Sequence, residues 1–446
     1  MHKWIGILFF VLTAAAVHAQ ATLDGMVRSA LENNPGLKAA KADVELLRED
    51  ARQAKLSFLP SFDASGSFRH QSFVPKIDLS VFSLPYGGGT PAPFPQGGIS
   101  LGLRDTYDVR MTVSQPLFTG FRLIQRKKMA DAAYSSKRSE WEQKRNELIH
   151  RVESAYYALR KAKKLVALAQ TAREQVLAHL RDVERFFEQG LVQKDEILKV
   201  RVKTTEAELA LLTAKNAEEM ARAALESAIG SPIVDPTDNF EELRAEPVAV
   251  PETEASIQTA LLKRPEIRAA QYARAAAKSG KGLVRGGYFP SIAAFGTRGY
   301  GKPGLNLIGT DWMDYWLVGA GFEWNLFEWG KTRSQEVQAG LRERNLAEME
   351  NQLRDAVVLE TRQACLKLAE ASERLNLAVQ MEDQARESFR VAENLYKQGQ
   401  SSHTAFFDAQ SDWTRAGLAR AQAEIDVHMT QSAWRKAVGT SASLYP

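Results

Sequence analysis

The chain has 446 residues, 25% of them charged, with a net charge of +4 spread along its length and a single cysteine, Cys365. A charge this small and dispersed calls for no nucleic-acid partner, and one cysteine excludes an intrachain disulfide. Beyond the N-terminus no uninterrupted apolar run approaches the roughly 20 residues of a membrane-spanning helix.

In chain order, Met1-His2-Lys3 supplies a basic start, Ile5 to Val17 an apolar stretch, and Val17-His18-Ala19 a small-residue cleavage signal. This pattern predicts a secretory signal peptide over residues 1–19. The apolar run is too short for a membrane anchor, and no cysteine follows it to take a lipid.

The rest of the chain says the same thing twice. At a shift of 230 in residue number, Ala30-Leu31-Glu32-Asn33-Asn34-Pro35 is echoed by Ala260-Leu261-Leu262-Lys263-Arg264-Pro265, and Phe58-Leu59-Pro60-Ser61 by Tyr288-Phe289-Pro290-Ser291. Further on the shift is 209: Leu117-Phe118 returns as Leu326-Phe327, Gln189-Gly190 as Gln398-Gly399, and Ala228-Ile229-Gly230 as Ala437-Val438-Gly439. A single insertion between Pro60 and Leu117 accounts for the change. A duplication this long is one architectural unit built twice. Its copies span residues 20–230 and 255–446, joined by a proline-rich linker over 231–254.

Each copy reads as a β hairpin followed by a helical hairpin. In the first, Tyr107, Val109, Met111 and Val113 alternate with Asp108, Arg110, Thr112 and Ser114, the period of a strand with one apolar face. A weaker alternation over Ser61 to Phe73 completes a β hairpin within 57–118. The insertion inside it is rich in glycine and proline from Pro85 to Gly98, which predicts an irregular loop. From Phe121 to Gln189 there is then neither glycine nor proline. The apolar stripe of this stretch, Leu148, Val152, Ala155, Leu159, Ala162 and onward to Phe187, steps by four and three as a coiled-coil seam does. Residues 191–229 continue as a second helix, so Gln189-Gly190 marks the turn of a helical hairpin over 121–229. The second copy repeats this with a β hairpin over 288–327 (Trp316, Val318, Ala320, Phe322 and Trp324 alternating) and a helical hairpin over 331–438 that turns at Gln398-Gly399.

Four such strands, apolar on one side and flanked by aromatic residues, fit an outer-membrane barrel. They cannot close a barrel alone, and an open edge is not tolerated in lipid, so several chains must share one. The histidines, His70, His150, His179, His403 and His428, lack metal-ligand spacing. Gly280-Lys281-Gly282 lacks the ending of a phosphate loop, and no nucleophile–base pair is legible. The residues imply no enzyme, cofactor or metal.

An exported chain with this duplicated plan, Leu-Phe at each strand exit and Gln-Gly at each helical turn, resembles the TolC family of outer-membrane efflux channels over essentially its whole mature length. The resemblance implies an α+β membrane protein. Its homotrimer forms a 12-stranded transmembrane β-barrel, continuous with an α-helical coiled-coil barrel in the periplasm of a Gram-negative bacterium. The implied partners are outer-membrane lipid, a periplasmic adaptor and an inner-membrane transporter of the RND or ABC type, with small toxic molecules as cargo. Aligned on Gly399, Tyr396 matches the tyrosine of the family's gating network and Asp408 one of two aspartates that ring the closed tip. Ala405 stands at the other ring position and Ser401 at the gating arginine. Glu196 falls at the acidic gating partner, with Asp195 beside it, and Asp412 lies one helical turn beyond Asp408. Residues flanking the two turns, Leu191, Val192, Gln193, Gln400, Ser401 and Ser402, are candidates for adaptor contact. Two alternatives stay open: service to a type I protein-secretion system, and a non-channel periplasmic coiled-coil protein whose strands pack as a soluble sheet.

Overall fold

Proline sets the first break of each copy. The residue before a proline is pushed out of the helical region, and proline itself is well placed in the first turn of a helix. Accordingly α1 (Leu23–Asn33) ends at an extended Asn34 and α2 (Pro35–Leu56) begins directly after it. The computed structural model describes residues 22–77, 99–190, 192–233, 248–249, 251–306, 308–398 and 400–445. The expected signal peptide, the whole glycine- and proline-rich loop from Pro85 to Gly98 and much of the linker lie outside them. After α2 come β1 (Ser61–His70), two short strands β2 (Lys76–Ile77) and β3 (Ile99–Ser100), then β4 (Asp105–Phe118), α3 (Arg122–Glu188) and α4 (Lys194–Ile229). The second copy supplies α5 (Thr253–Lys263), α6 (Pro265–Arg285), β5 (Ser291–Lys302), β6 (Met313–Glu323), α7 (Lys331–Lys397) and α8 (His403–Val438). The chain divides into two compact units. One comprises residues up to Glu45 with 135–271 and 348–446; the other comprises 46–134 and 272–347.

In the second of these units the strands form an antiparallel sheet in the order β1-β4-β5-β6, so β1 and β6 are its edges. The period-two pattern sorts its faces. Phe62, Met111, Val113, Val318 and Phe322 stand on one side, and Ser65, Arg110, Thr112 and Thr297 on the other. On the polar side the Tyr315 hydroxyl donates to Asp108 at 2.6 Å, and Arg110 Nε donates to the same carboxylate at 2.6 Å. Tyr315 lies across Gly299, where any side chain would overlap its ring. The apolar side is bare: Phe62 is 77% exposed and Phe322 is 76% exposed. Rings cluster at both of its ends. Phe68, Tyr107, Trp312 and Tyr300 meet at centroid distances of 5.0–5.6 Å at one, and Phe118, Phe121 and Phe289 meet at 5.4 and 5.9 Å at the other. An apolar band between aromatic girdles is the surface of a transmembrane β-barrel. The short β2–β3 pair flanks the glycine- and proline-rich stretch as a two-stranded extension, which sequence periodicity did not predict.

Where strand gives way to helix, both copies use two consecutive residues in the left-handed region. These are Gly120 (φ 61°) and Phe121 (φ 66°) in one, and Trp329 (φ 51°) and Gly330 (φ 81°) in the other. The duplication preserved the backbone path while the glycine changed places. Gly120 also has no room for a side chain, because Gly286 and Phe289 press on it. In each copy the other residue of the pair is aromatic and carries the strain of a positive φ.

The remaining unit is helical, and its core joins both copies. Met26, Val27 and Ala30 of α1, Ile149 and Val152 of α3, Leu225 and Ile229 of α4, and Ile425 of α8 are buried together with Tyr445. The duplication shows again at the helix breaks. The Asn34 amide donates to the carbonyl of Ala228 at 3.3 Å beside Gly230, and the backbone of Arg264 packs on Gly439; both glycines end their helices with positive φ. Inside this core sits a carboxylate, Glu153, only 1% exposed. It accepts a hydrogen bond from the Tyr445 hydroxyl at 3.0 Å and another from Ser432 Oγ, with Arg435 Nη2 3.6 Å away. His150 Nδ1 lies 2.8 Å from the same Ser432 oxygen. A buried charge is tolerable only when partnered in this way.

Two outcomes follow. Tyr445→Phe removes one donor from the buried Glu153 and is expected to cost about 1.5–3 kcal/mol, read as a lowered midpoint of denaturant unfolding. Burial, and next the Lys436 charge, hold the His150 imidazole below its ordinary value of 6.5; burial does the same for His428. The unfolded chain therefore takes up protons first, and stability must fall as pH drops through about 6.5. His150→Gln is expected to flatten that decline in a pH series of thermal melts.

Candidate functional site

The hairpin ends of the helical unit hold every gate candidate the sequence singled out. Gly190, with φ 75°, ends α3 after Glu188. Gln193 precedes α4 without a side-chain cap, so the acidic first turn, Asp195 and Glu196, faces the positive end of the helix dipole unaided. Both carboxylates bind Lys199 of their own helix, at 2.6 Å and 3.2 Å. One lysine offsets one of the two charges, so the trio carries a net −1, and both carboxylates lie exposed. At the other turn Ser402 caps α8, its Oγ accepting from the amide of Ala405 at 3.3 Å. Of the adaptor candidates, Leu191 lies outside the described residues, whereas Val192, Gln193, Gln400, Ser401 and Ser402 flank the turns as expected.

The two hairpins are stitched by different chemistry. In the first, Val183, Ile197 and Val200 form a small aliphatic core with Leu180 and Val192. In the second, aromatic rings take over. Phe389 stacks on Trp413 with centroids 5.1 Å apart and packs on Phe406 at 5.6 Å, and Tyr396 stacks on Phe406 at 5.1 Å. At the shift of 209, Leu180 corresponds to Phe389, Ile197 to Phe406 and Thr204 to Trp413. Ring stacking of this kind adds about 0.5–1.5 kcal/mol per pair beyond area burial.

Tyr396 thus belongs to a ring stack. Burial, then the charge of Asp182 on α3, push its hydroxyl above the ordinary value of 10.0. The structure does not pair Glu196 with it: Glu196 holds Lys199, and Asp182 holds Arg185. Asp408 is exposed and has no ion-pair or hydrogen-bond partner among the described residues. Asp412, by contrast, is paired with Arg415 at 2.9 Å. The two aspartates share a helix face but differ in availability.

Sequence reading missed the contacts that tie the copies together here. Gln410 Nε2 of α8 donates to Gln175 Oε1 of α3 at 2.6 Å, and the rings of His179 and Phe407 meet edge to face at 4.0 Å. The available signal was the divergence of the copies: Phe406-Phe407 replaces Ile197-Leu198 in an otherwise parallel plan. Among the described residues no group of three or more His, Cys, Asp or Glu is placed to hold a metal. No helix among them is long and apolar enough to cross a membrane.

Residues 26–231 and 256–440 match the family model described as outer membrane efflux protein. The chain is 24% identical over 391 residues to the solvent efflux pump outer membrane protein SrpC of Pseudomonas putida, covering 87% of this chain and 78% of that one. It is also 24% identical over 358 residues to the alkaline protease secretion protein AprF of Pseudomonas aeruginosa, covering 79% and 71%. Among solved structures it superposes on the Campylobacter jejuni CmeC outer membrane channel with TM-score 0.78 at 20% identity, covering 94% of this chain and 86% of that one. The outer-membrane channel OprN gives 0.75 at 20% identity, covering 94% and 90%.

The α3–α8 contacts have a measurable signature. Phe407→Ala removes two ring pairs, with His179 at 4.0 Å and with Phe406 at 5.6 Å, each worth about 1 kcal/mol, so amide exchange over residues 403–415 should run about 30-fold faster. Exchange in the sheet should be unchanged.

Proposed function

Because the chain belongs to the outer membrane efflux protein family, we propose that it is the passive exit duct of an export system, built from three copies. The observation that carries this reading is the match of the family model to both copies in turn, over 26–231 and 256–440. The sheet supports it physically. Its edges β1 and β6 have no partner strand among the described residues, and unpaired backbone groups are not tolerated in hydrocarbon. Pairing β6 of each copy with β1 of the next closes three four-stranded sheets into a barrel of twelve. The helical hairpins then enclose a periplasmic tunnel, fed at the hairpin ends by an adaptor and an inner-membrane transporter.

In that assembly three Asp408 carboxylates surround the axis. Like charges in a ring repel one another and favour cations in the pore. Asp412, neutralised by Arg415, contributes less. The copies of Tyr396, held in their ring stacks, and of Asp195 and Glu196, held by Lys199, set the stiffness of the entrance. Val192, Gln193, Gln400, Ser401 and Ser402, with Leu191, form the surface offered to the adaptor. The cargo is small toxic molecules, of the solvent class for which SrpC is named. A protein cargo is the second reading, favoured by the likeness to AprF over 79% of this chain.

Single-channel conductance in a planar bilayer tests the duct. The expected result is a cation-selective pore whose selectivity falls in Asp408→Asn. A folded protein that never inserts would sink the reading, and an indifferent pore would remove Asp408 from the constriction. Glutamate substitutions at Val192, Gln193 and Gln400 should abolish export from cells while leaving conductance intact.

A further inference from the structure

The net charge of +4 is not evenly spread once the fold assigns positions to it. Four helix ends flank the sheet: the last of α2, the first of α3, the last of α6 and the first of α7. The two turns of each that lie nearest the strands (49–56, 122–129, 278–285 and 331–338) hold 11 lysines and arginines and 3 acids. Together these stretches carry a net +8, twice the charge of the whole chain. The same lengths at the hairpin turns (181–188, 194–201, 390–397 and 403–410) carry seven of each sign and sum to zero. The asymmetry therefore follows position along the helices and not helix composition in general.

Four of these eleven cations have an ion pair: Arg52 with Glu49 at 3.5 Å, Lys127 with Asp131 at 3.6 Å, Lys281 with Glu343 at 3.4 Å and Arg285 with Glu336 at 2.7 Å. Lys55, Arg126, Lys128, Lys278, Lys331 and Arg333 are all exposed, and none has an ion pair among the described residues. The exposed rings of Phe121 and Phe289, packed with half-buried Phe118 at the end of β4, lie between them and the strands. Such rings sit at the headgroup level of a bilayer. Cations one or two turns beyond the girdle are then within about 15 Å of the lipid phosphates, given the rise of an α-helix. The screening length at physiological ionic strength is about 8 Å, so the cations of the turn next to the girdle, Lys55, Lys331 and Arg333 among them, carry most of the attraction.

We infer that these four helix ends form a basic collar that binds anionic phospholipid headgroups of the periplasmic leaflet. This rests on the outer-membrane duct reading and adds to it a named lipid class and a surface. Clustered lysine and arginine beside a membrane-spanning segment is an electrostatic lipid site. Its residues come from both copies, so the collar encircles the barrel in the assembled duct. It fixes how deeply the barrel sits, because sinking or rising would draw the cations away from the phosphates.

The test uses the full-length protein in phosphatidylethanolamine vesicles containing a minor fraction of phosphatidylglycerol, with insertion established first by conductance. Annular lipid is counted by native mass spectrometry after gentle extraction. The wild type should retain phosphatidylglycerol several-fold above its bulk fraction, and the enrichment should fall as salt rises. The variant Lys55→Gln/Arg126→Gln/Lys128→Gln/Lys278→Gln should lose it while still conducting. A control, Lys215→Gln/Arg362→Gln/Lys367→Gln, removes exposed charge from the helical unit and should keep it. Equal enrichment in wild type and the collar variant overturns the inference, as does retention of cell-wall fragments in place of phospholipid. Failure of the wild type to insert would count against the duct itself, which conductance reports separately.

Discussion

A backbone in hydrocarbon must satisfy its own hydrogen bonds, and that constraint governs this molecule. Helices meet it within one segment and barrels meet it by closing. This chain has no helix among its described residues able to cross a bilayer, and its four long strands end in two open edges. An apolar sheet face with Phe62 and Phe322 three-quarters exposed is untenable in water for a monomer. The same two open edges and the same exposed face are what the proposed sharing of one barrel among copies would satisfy.

Everything outside the sheet then serves to feed it. Helices α3 and α7 each run 67 residues without a break, because glycine and proline are nearly excluded from them and an apolar seam runs along their length. The tight strand-to-helix corners at Gly120-Phe121 and Trp329-Gly330 accept backbone strain so that a strand can become a helix within two residues. The helical unit is pinned elsewhere, by the buried Glu153 and its donors Tyr445 and Ser432. That network draws on α3, α8 and the C-terminal segment at once, so the last residues of the chain hold its first long helix.

Duplication supplied two copies and divergence gave them different tasks. At the hairpin ends the first copy kept aliphatic packing around Val183 and Ile197, while the second acquired the stack of Phe389, Phe406 and Trp413. The two are joined through Gln175–Gln410 and His179–Phe407.

Much of this was legible in residue order, because it depends on local spacing. Period-two alternation marked β4 and β6, the absence of glycine and proline from 121–189 marked α3, and fixed shifts of 230 and 209 marked the duplication. The echoed Pro35 and Pro265 begin α2 and α6. The surroundings of the gate candidates were only partly legible. Alignment on Gly399 picked out Tyr396, but its neighbours are Phe406, across the helical turn, and Asp182, in the other copy. The α3–α8 contacts join positions 235 apart, as in Gln175 and Gln410, and no local pattern encodes such a pairing. The basic collar was invisible for the same reason. Its charges come from four stretches scattered through the chain, and along the sequence they average away into a modest +4. Local periodicity and backbone stereochemistry are properties of consecutive residues, so the sequence by itself determined the elements and their repetition. Which charges share a plane and which side chains share a contact depends on where folding brings distant segments, and only the tertiary structure decided that.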